Sequence, residues 1–333
     1  MFEPVPMLPP LTAPRVVYSR TAGLALPPNA LAAIGFGAAP ALPDDPRSVR
    51  VGLQPLHGAG LVELWLAEGP VRNERHGPIR YACDDSHLFG VVELDEREHG
   101  GIAGAAQAAY AAIRAFRHET AGNDWCVLRM WNYCDAINVG AGDEERYRRF
   151  CAGRAAGLAA LPQQHLPAAT AIGRRDGEPM LQVYFLAARE PGVALENPRQ
   201  VSAYRYPREY GPTPPSFSRA MLDADSLLLI SGTASVVGHA SHHPGDLIAQ
   251  LEETVNNLQT VLDRARALAP GLPPAFNGDS VLKIYLRDAS RLAEVERVLA
   301  QRLPAVRDYV VLEGDVCRVD LLVEIDGSQP AAG

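Results

Sequence analysis

One order of elements runs through this chain twice, and that repetition limits the possible folds more than any motif does. In the first half, GLVELWLAE and HLFGVVEL read as strands, being short and rich in apolar and β-branched residues. GIAGAAQAAYAAIRAFRHE (101–119) reads as a helix, WCVLRMWNY (125–133) as a strand, EERYRRFCAGRAAGLAAL (144–161) as a helix and MLQVYFLAARE (180–190) as a closing strand. After the turn-rich EPGVALENPRQ the order starts again. SLLLISGTAS (226–235) is a strand, DLIAQLEETVNNLQTVLDRARAL (246–268) a long helix and SVLKIYLRD (280–288) a strand. RLAEVERVLAQRL (291–303) is a shorter helix, and CRVDLLVEID (317–326) closes as a strand. Two helices per unit bury their apolar stripes if both lie on one face of a mostly antiparallel sheet, so the expected class is α+β with two tandem units. The expected division is an extended Pro/Ala-rich N-terminal arm with little regular structure over 1–50 (LPPLTAP, LALPPNA, AAPALPDDP), a first unit over 51–195 and a second over 196–333. A doubly wound parallel sheet would need a glycine-rich phosphate turn after its first strand. GGIAG at Gly100 lacks that spacing.

Composition removes several function classes. A formal net charge of −8 over 333 residues argues against non-specific binding to nucleic acid or an anionic membrane. No apolar run reaches the roughly 18 residues that a membrane span needs. MFEPVPMLPPL has no basic region ahead of an apolar core, so no secretory signal is expected and the compartment expected is the cytoplasm. The five cysteines are scattered without a CxxC pair, against a disulfide framework or a cysteine-rich zinc site. The basic residues number 31, of which Lys283 is the single lysine, leaving a surplus of planar arginine forks suited to carboxylates.

Three regions carry chemistry-bearing residues. In QVSAYRYPREYGPTPPSFSRA (200–220), Tyr204, Tyr206, Tyr210, Ser216, Phe217 and Arg219 form either a pocket wall with Arg219 gripping an acid, or a surface loop whose aromatics cover a sheet edge. In SGTASVVGHASHHPGD (231–246), Gly232 lets a ligand approach the strand closely. His239, His242, His243 and Asp246 are a metal set at best by residue type. Their spacing matches no closed motif, and the favoured reading is a loop entering the long helix with Asp246 as its N-cap. In GDVCRVDLLVEIDG (314–327), Glu324 lies in an apolar strand, where a carboxyl pKa rises and the group can serve as a general acid. Alternation places Glu324 with Leu322, Asp320 and Arg318 and opposite Cys317, which leaves a solvent-facing Glu324 equally open. Arg287, ending the KIYLRD strand, is a carboxylate ligand or a surface arginine.

Taken together, YRYPREYGPTPPSFSRA, LISGTASVVGHASHHPGD with QLEETVNNL behind it, CRVDLLVEIDG, RMWNYCDAIN and ERYRRFCAGRAAGL resemble the chorismatase family, over about residues 50–327. The resemblance implies two RidA/YjgF-like units in one chain. In the trimeric RidA proteins pockets lie between subunits, so two fused units leave one position to be filled by the N-terminal arm or a second chain, and the oligomeric state stays open. It implies chorismate as a small-molecule partner, loss of its enolpyruvyl group as pyruvate, and no metal or organic cofactor. It implies that Glu324 is the acid, protonating the enol-ether methylene. Cys317, seven residues before it, and Gly232 look like the branch that forms 3-hydroxybenzoate, alone or beside 4-hydroxybenzoate. Cys317 and Glu324, of opposite parity, can face one pocket only if a bulge or bend intervenes. Arg219 and Arg287 are the expected carboxylate ligands and Tyr210 a pocket contact. The alternatives are a chorismate hydrolase giving a dihydroxycyclohexadiene carboxylate, and a RidA-like deaminase or ligand-binding protein, for which Arg307 is the nearest carboxylate-holding arginine.

Overall fold

The computed structural model describes residues 13–20, 25–38, 45–119, 125–159 and 162–331. The early strands are β1 (Arg15–Ser19), β2 (Ala30–Phe36), β3 (Ser48–Val51), β4 (Gln54–Pro55) and β5 (Val62–Leu66). The first repeat follows as β6 (Arg72–His76), β7 (Ile79–Cys83), β8 (His87–Asp95), α1 (Ile102–Glu119), β9 (Cys126–Asp135), α2 (Arg146–Leu158), β10 (Ala168–Arg174) and β11 (Met180–Ala188). The second begins with β12 (Val193–Leu195), β13 (Ala220–Leu222) and β14 (Leu228–Ala234), then the short ribbon β15 (Val236–Val237) and β16 (Ala240–Ser241). It continues through α3 (Leu247–Arg266), β17 (Val281–Leu286), α4 (Leu292–Arg302), β18 (Asp308–Glu313), β19 (Asp315–Val316) and β20 (Val323–Gln329).

The class is α+β, as the repeat predicts. Two seven-stranded sheets run β19-β10-β9-β11-β8-β7-β6 and β12-β13-β14-β20-β17-β18-β4. Each is antiparallel except for one parallel pair, β9 with β10 and β17 with β18. In each sheet that pair is the one bridged by the shorter helix, α2 or α4, as a parallel crossover requires. One face of the first sheet packs on α1 and α2 through Tyr110, Ile113, Phe116 and Phe150. One face of the second packs on α3 and α4 through Leu251, Leu258, Leu262 and Val298. The opposite faces meet in a shared core of Phe89, Trp131, Tyr184, Tyr285 and Leu312.

Two expectations are corrected. The described residues of 13–51 are not an arm without regular structure: β1, β2 and β3 join β5 in a four-stranded sheet of order β1-β5-β2-β3. Every residue of β2 is buried, and Leu31, Ile34, Phe36 and Trp65 enter the core shared by the two large sheets. Burial of a small-residue run, rather than β-branched propensity, makes this strand. The portions of the expected arm at 1–12, 21–24 and 39–44 lie outside the described residues. The closing strand also begins later than CRVDLL suggests. It starts at Val323, and residues 317–322 form a turn closed by Leu321 N–H donating to Arg318 O.

The entry to the long helix of the second repeat follows ordinary capping physics. Asp246 caps α3, its carboxylate accepting the Ala249 N–H at 3.0 Å, as its position in PGD predicts.

Candidate active site

The pieces of sequence that attract chemical attention meet in one cavity of about 300 Å³. Its walls are Tyr147 and Arg148 at the start of α2, Tyr206, Tyr210, Phe217 and Arg219 from the 200–219 loop, Gly232 and Ala234 of β14, Cys317 to Leu321, and Glu324 of β20. A second cavity of about 180 Å³, against α1 and β9, is lined mainly by apolar side chains with no carboxylate among them.

Glu324 is only 4% exposed, so the solvent-facing alternative is excluded. It sits between Ala234 and Tyr285 in the ladder. The register of β14 against β20 slips between Ile230 and Thr233, a bulge at Ser231–Gly232. Ser231 fixes that bulge by donating to Ser218 O while accepting the Ala169 N–H at 2.8 Å. At Gly232 the missing side chain leaves room for the carboxyl, because a Cβ there would lie 1.9 Å from Glu324 Oε1. Burial is the main cause that lifts the Glu324 carboxyl from 4.5 to about 8, and the nearby charge of Asp326 adds to it. Arg129, Arg219 and Arg318 pull the other way and are outweighed. The carboxyl therefore holds its proton at neutral pH while standing in a cavity.

Cys317 lines the same cavity. The turn over 317–322 removes the parity conflict with Glu324, since strand alternation does not extend across it. Burial, and then the charge of Glu324, push its thiol far above the ordinary value, so it is a neutral, compact wall and not a thiolate. Tyr147 packs beside it as a likewise protonated phenol, held so chiefly by burial.

Three arginines, Arg148, Arg219 and Arg318, line the same cavity. Arg219 is 6% exposed. Its Nη2 donates to Val201 O at 2.9 Å and Tyr206 Oη at 2.7 Å, while its buried Nε has no protein acceptor. The guanidinium of Arg318 lies 4.0 Å over the Tyr210 ring, and its Nη1 donates to His239 O at 2.9 Å. Tyr210 and Tyr206 thus act as a platform that holds Arg318. Arg148 approaches from α2, its Nε donating to Glu145 Oε2 at 3.1 Å. Sequence reasoning missed Tyr147, Arg148 and Arg318. Only the position of Arg318 beside Cys317 was a usable signal, because the other two come from the far half of the chain.

Arg287 is a correction. All its N–H groups are spent within the protein: on Leu321 O, Asn138 Oδ1, Asp315 Oδ1, Val316 O and Arg318 O, at 2.5–3.0 Å. It is not a carboxylate ligand but the pin that shapes the 315–322 segment carrying Cys317 and Arg318. Arg307 is exposed and borders a separate cavity beside α4. Tyr204 and Ser216 are absent from the cavity walls. The histidines also part ways. His239 Nδ1 lies 3.3 Å from Tyr210 Oη, His242 and His243 contact each other edge-on, and Asp246 caps α3. Among the described residues these four do not form a metal-sized cluster.

The arrangement is a protonated carboxylic acid under arginine guanidiniums, walled by aromatic rings. Such a site can bind a compact dianion and deliver a proton to it.

Comparison with known proteins gives concordant results. The family described as chorismatase FkbO/Hyg5-like, N-terminal, matches residues 63–187. A chorismatase of Streptomyces rapamycinicus is 37% identical over 278 residues, covering 80% of this chain and 81% of the relative. A 3-hydroxybenzoate synthase of Streptomyces hygroscopicus is 35% identical, with 80% of each chain covered. A chorismatase crystal structure superposes with a TM-score of 0.85 at 32% identity, over 97% of this chain and 100% of the other.

Proposed function

The chain belongs to the chorismatase family, and from that premise we propose that it removes the enolpyruvyl group of chorismate as pyruvate, leaving 3-hydroxybenzoate, alone or with 4-hydroxybenzoate. The observation that carries this reading is the Glu324 carboxyl, protonated up to about pH 8, facing a cavity under Arg148, Arg219 and Arg318. Chorismate has two carboxylates, and these arginines are their ligands, with Tyr210 as support for Arg318 and Gly232 as the clearance for the acid. The chain's two units, 51–195 and 196–333, share the work: the second supplies the acid and the first closes the cavity with Tyr147 and Arg148.

Glu324 gives its proton to the enol-ether methylene, and the side chain becomes an oxocarbenium ion. The neighbouring ring hydroxyl attacks the carbon bearing the ether oxygen, that carbon–oxygen bond breaks, and the oxygen departs as the keto group of pyruvate. The hydroxyl proton returns to the enzyme, and the arene-oxide-like ring opens and aromatises. No water is consumed. In a hydrolase, water adds to the oxocarbenium carbon instead and the ring keeps its oxygen. Cys317, neutral and half-buried beside Glu324, occupies space from which such a water would attack. Cys317→Ala is therefore expected to shift product toward the dihydroxycyclohexadiene carboxylate, read by chromatography. An unchanged product ratio would remove Cys317 from the branch decision.

The test of the whole reading is incubation with chorismate, chromatography of the products and a coupled pyruvate assay. Pyruvate with 3-hydroxybenzoate supports it, pyruvate with a diene diol moves the chain to the hydrolase chemistry, and no pyruvate overturns both. The pH profile has a definite sign. The acid works in its protonated form, so kcat/KM holds level below about pH 8 and falls tenfold per unit above it. A rate that rises through pH 8 would exclude Glu324 as the proton donor.

No helix among the described residues is long and apolar enough to cross a membrane.

A further inference from the structure

At the end of β14 away from Gly232, His87, Asp223 and Asp225 bring one imidazole nitrogen and two carboxylate oxygens within 4.8 Å of one another. His87 opens β8 of the first large sheet, opposite Ala188 of β11. Asp223 and Asp225 lie in the turn between β13 and β14 of the second. The three groups therefore straddle the seam between the sheets. His87 is 3% exposed and Asp223 6%.

The two oxygens of Asp223 have different fates. Oδ1 accepts the N–H groups of Asp225 at 2.9 Å and Leu227 at 2.7 Å and so shapes the turn. Oδ2 is buried with no hydrogen-bond partner. His87 Nε2 stands 4.0 Å from Asp225 Oδ2, beyond hydrogen-bond range. Asp84 adds further negative charge close by, with its Oδ1 accepting the backbone N–H of His87 at 2.6 Å. Among the described residues, no arginine or lysine is paired with Asp223 or Asp225, although the chain has 31 basic residues. A buried carboxylate oxygen without partner or counter-charge is costly, and a cation between the three groups removes that cost.

We infer that this cluster binds one first-row divalent cation of the zinc or manganese type. An imidazole beside two carboxylates favours such ions over magnesium or calcium, and no thiolate is present to select copper(I). Two carboxylates and a neutral imidazole balance a dipositive ion, leaving the three ligands and the ion together without net charge. Ligand bonds of about 2.0–2.2 Å would draw the three atoms in by less than an ångström or so each. The ion has no part in the proton transfer, since about 13 Å of strand separates Leu228 from Gly232 at the ordinary rise per residue. It clips the turn of one sheet to the strand of the other.

The test uses the full chain, stripped with a chelator, dialysed and titrated with zinc by calorimetry, with thermal melts recorded with and without the ion. The expected result is one equivalent bound at micromolar affinity or tighter, with Tm raised by several degrees at saturation, while pyruvate release from chorismate is the same with and without zinc. Asp223→Asn keeps the Oδ1 turn bonds and is expected to weaken binding at least tenfold. Asp225→Asn, at the less buried ligand, gives the same readout should the first variant fold poorly. No saturable binding overturns the inference. So does zinc binding that is unchanged in both variants, as chelation by His239, His242 and His243 at the surface would give.

Discussion

Glu324→Gln is expected to leave the protein folded and to slow pyruvate release from chorismate by about a thousandfold or more, toward the upper range for removal of a general acid. The amide has the same shape and fills the same clearance over Gly232, but it has no proton to give. Binding of chorismate to the arginines persists, so the loss falls on kcat rather than on KM. Stability supplies a second readout, which tests the raised carboxyl pKa itself rather than the catalytic role. The folded carboxyl titrates at about 8 against an ordinary 4.5, chiefly because it is buried. Its contribution is most favourable below about pH 4.5 and is lost as pH rises to 8, because the folded state holds a proton that the unfolded chain has released. Each pH unit between the unfolded and folded titrations is worth about 1.36 kcal/mol. Above pH 8 wild type therefore carries a destabilisation on the order of a few kcal/mol that the glutamine variant lacks. The variant should melt near wild type at pH 5 and above it at pH 9. Pyruvate release within tenfold of wild type would reject Glu324 as the acid.

What the sequence reveals and hides follows from the range over which each signal acts. The tandem plan is legible because helical periodicity and strand length are local properties, and α1, α2, α3, α4, β9, β11, β14 and β17 fall close to where the pattern puts them. The four-stranded N-terminal sheet is not legible: ALAAIGF lacks the β-branched density of a strand, and its complete burial comes from partners that are distant in sequence. At the site, alternation relates Glu324 to its strand neighbours but cannot say which face is buried. It fails altogether for Cys317, which lies at the start of the turn and not on the strand. Arg287 has the residue type and position of a ligand. Only the structure shows that every one of its N–H groups is engaged. Tyr147 and Arg148 reach the cavity from the other repeat, and no spacing within one segment encodes that approach.

Lys283→Met is expected to lower stability by about 3–5 kcal/mol and Tm by around ten degrees, since it leaves buried charge without its partner. The chain's single lysine lies on β17, with its Nζ 2.8 Å from Glu63 Oε2 and 3.9 Å from Asp326 Oδ1. It also sits 4.8 Å from the Trp131 ring centroid. Burial alone would lower its pKa, but Glu63 and Asp326 outweigh burial and raise it, so the ammonium stays charged throughout the neutral range. Glu63 comes from the N-terminal sheet and is 1% exposed, with the Trp65 indole N–H as its other partner at 2.7 Å. Asp326 comes from β20 and also accepts from Thr170 of β10 and Tyr285 of β17, and pairs with Arg129 of β9 at 3.1 Å. One charged network thus ties the four-stranded sheet and both seven-stranded sheets together and ends two residues from the acid, which it helps keep protonated through Asp326. The partner change discriminates between charge and shape. Glu63→Gln combined with Lys283→Met should recover a large part of the loss, because a buried pair replaced by uncharged groups costs far less than a pair broken on one side. Urea denaturation of the single and double variants measures this directly, and a single variant within about 1 kcal/mol of wild type would show that the seam is held by its apolar core alone.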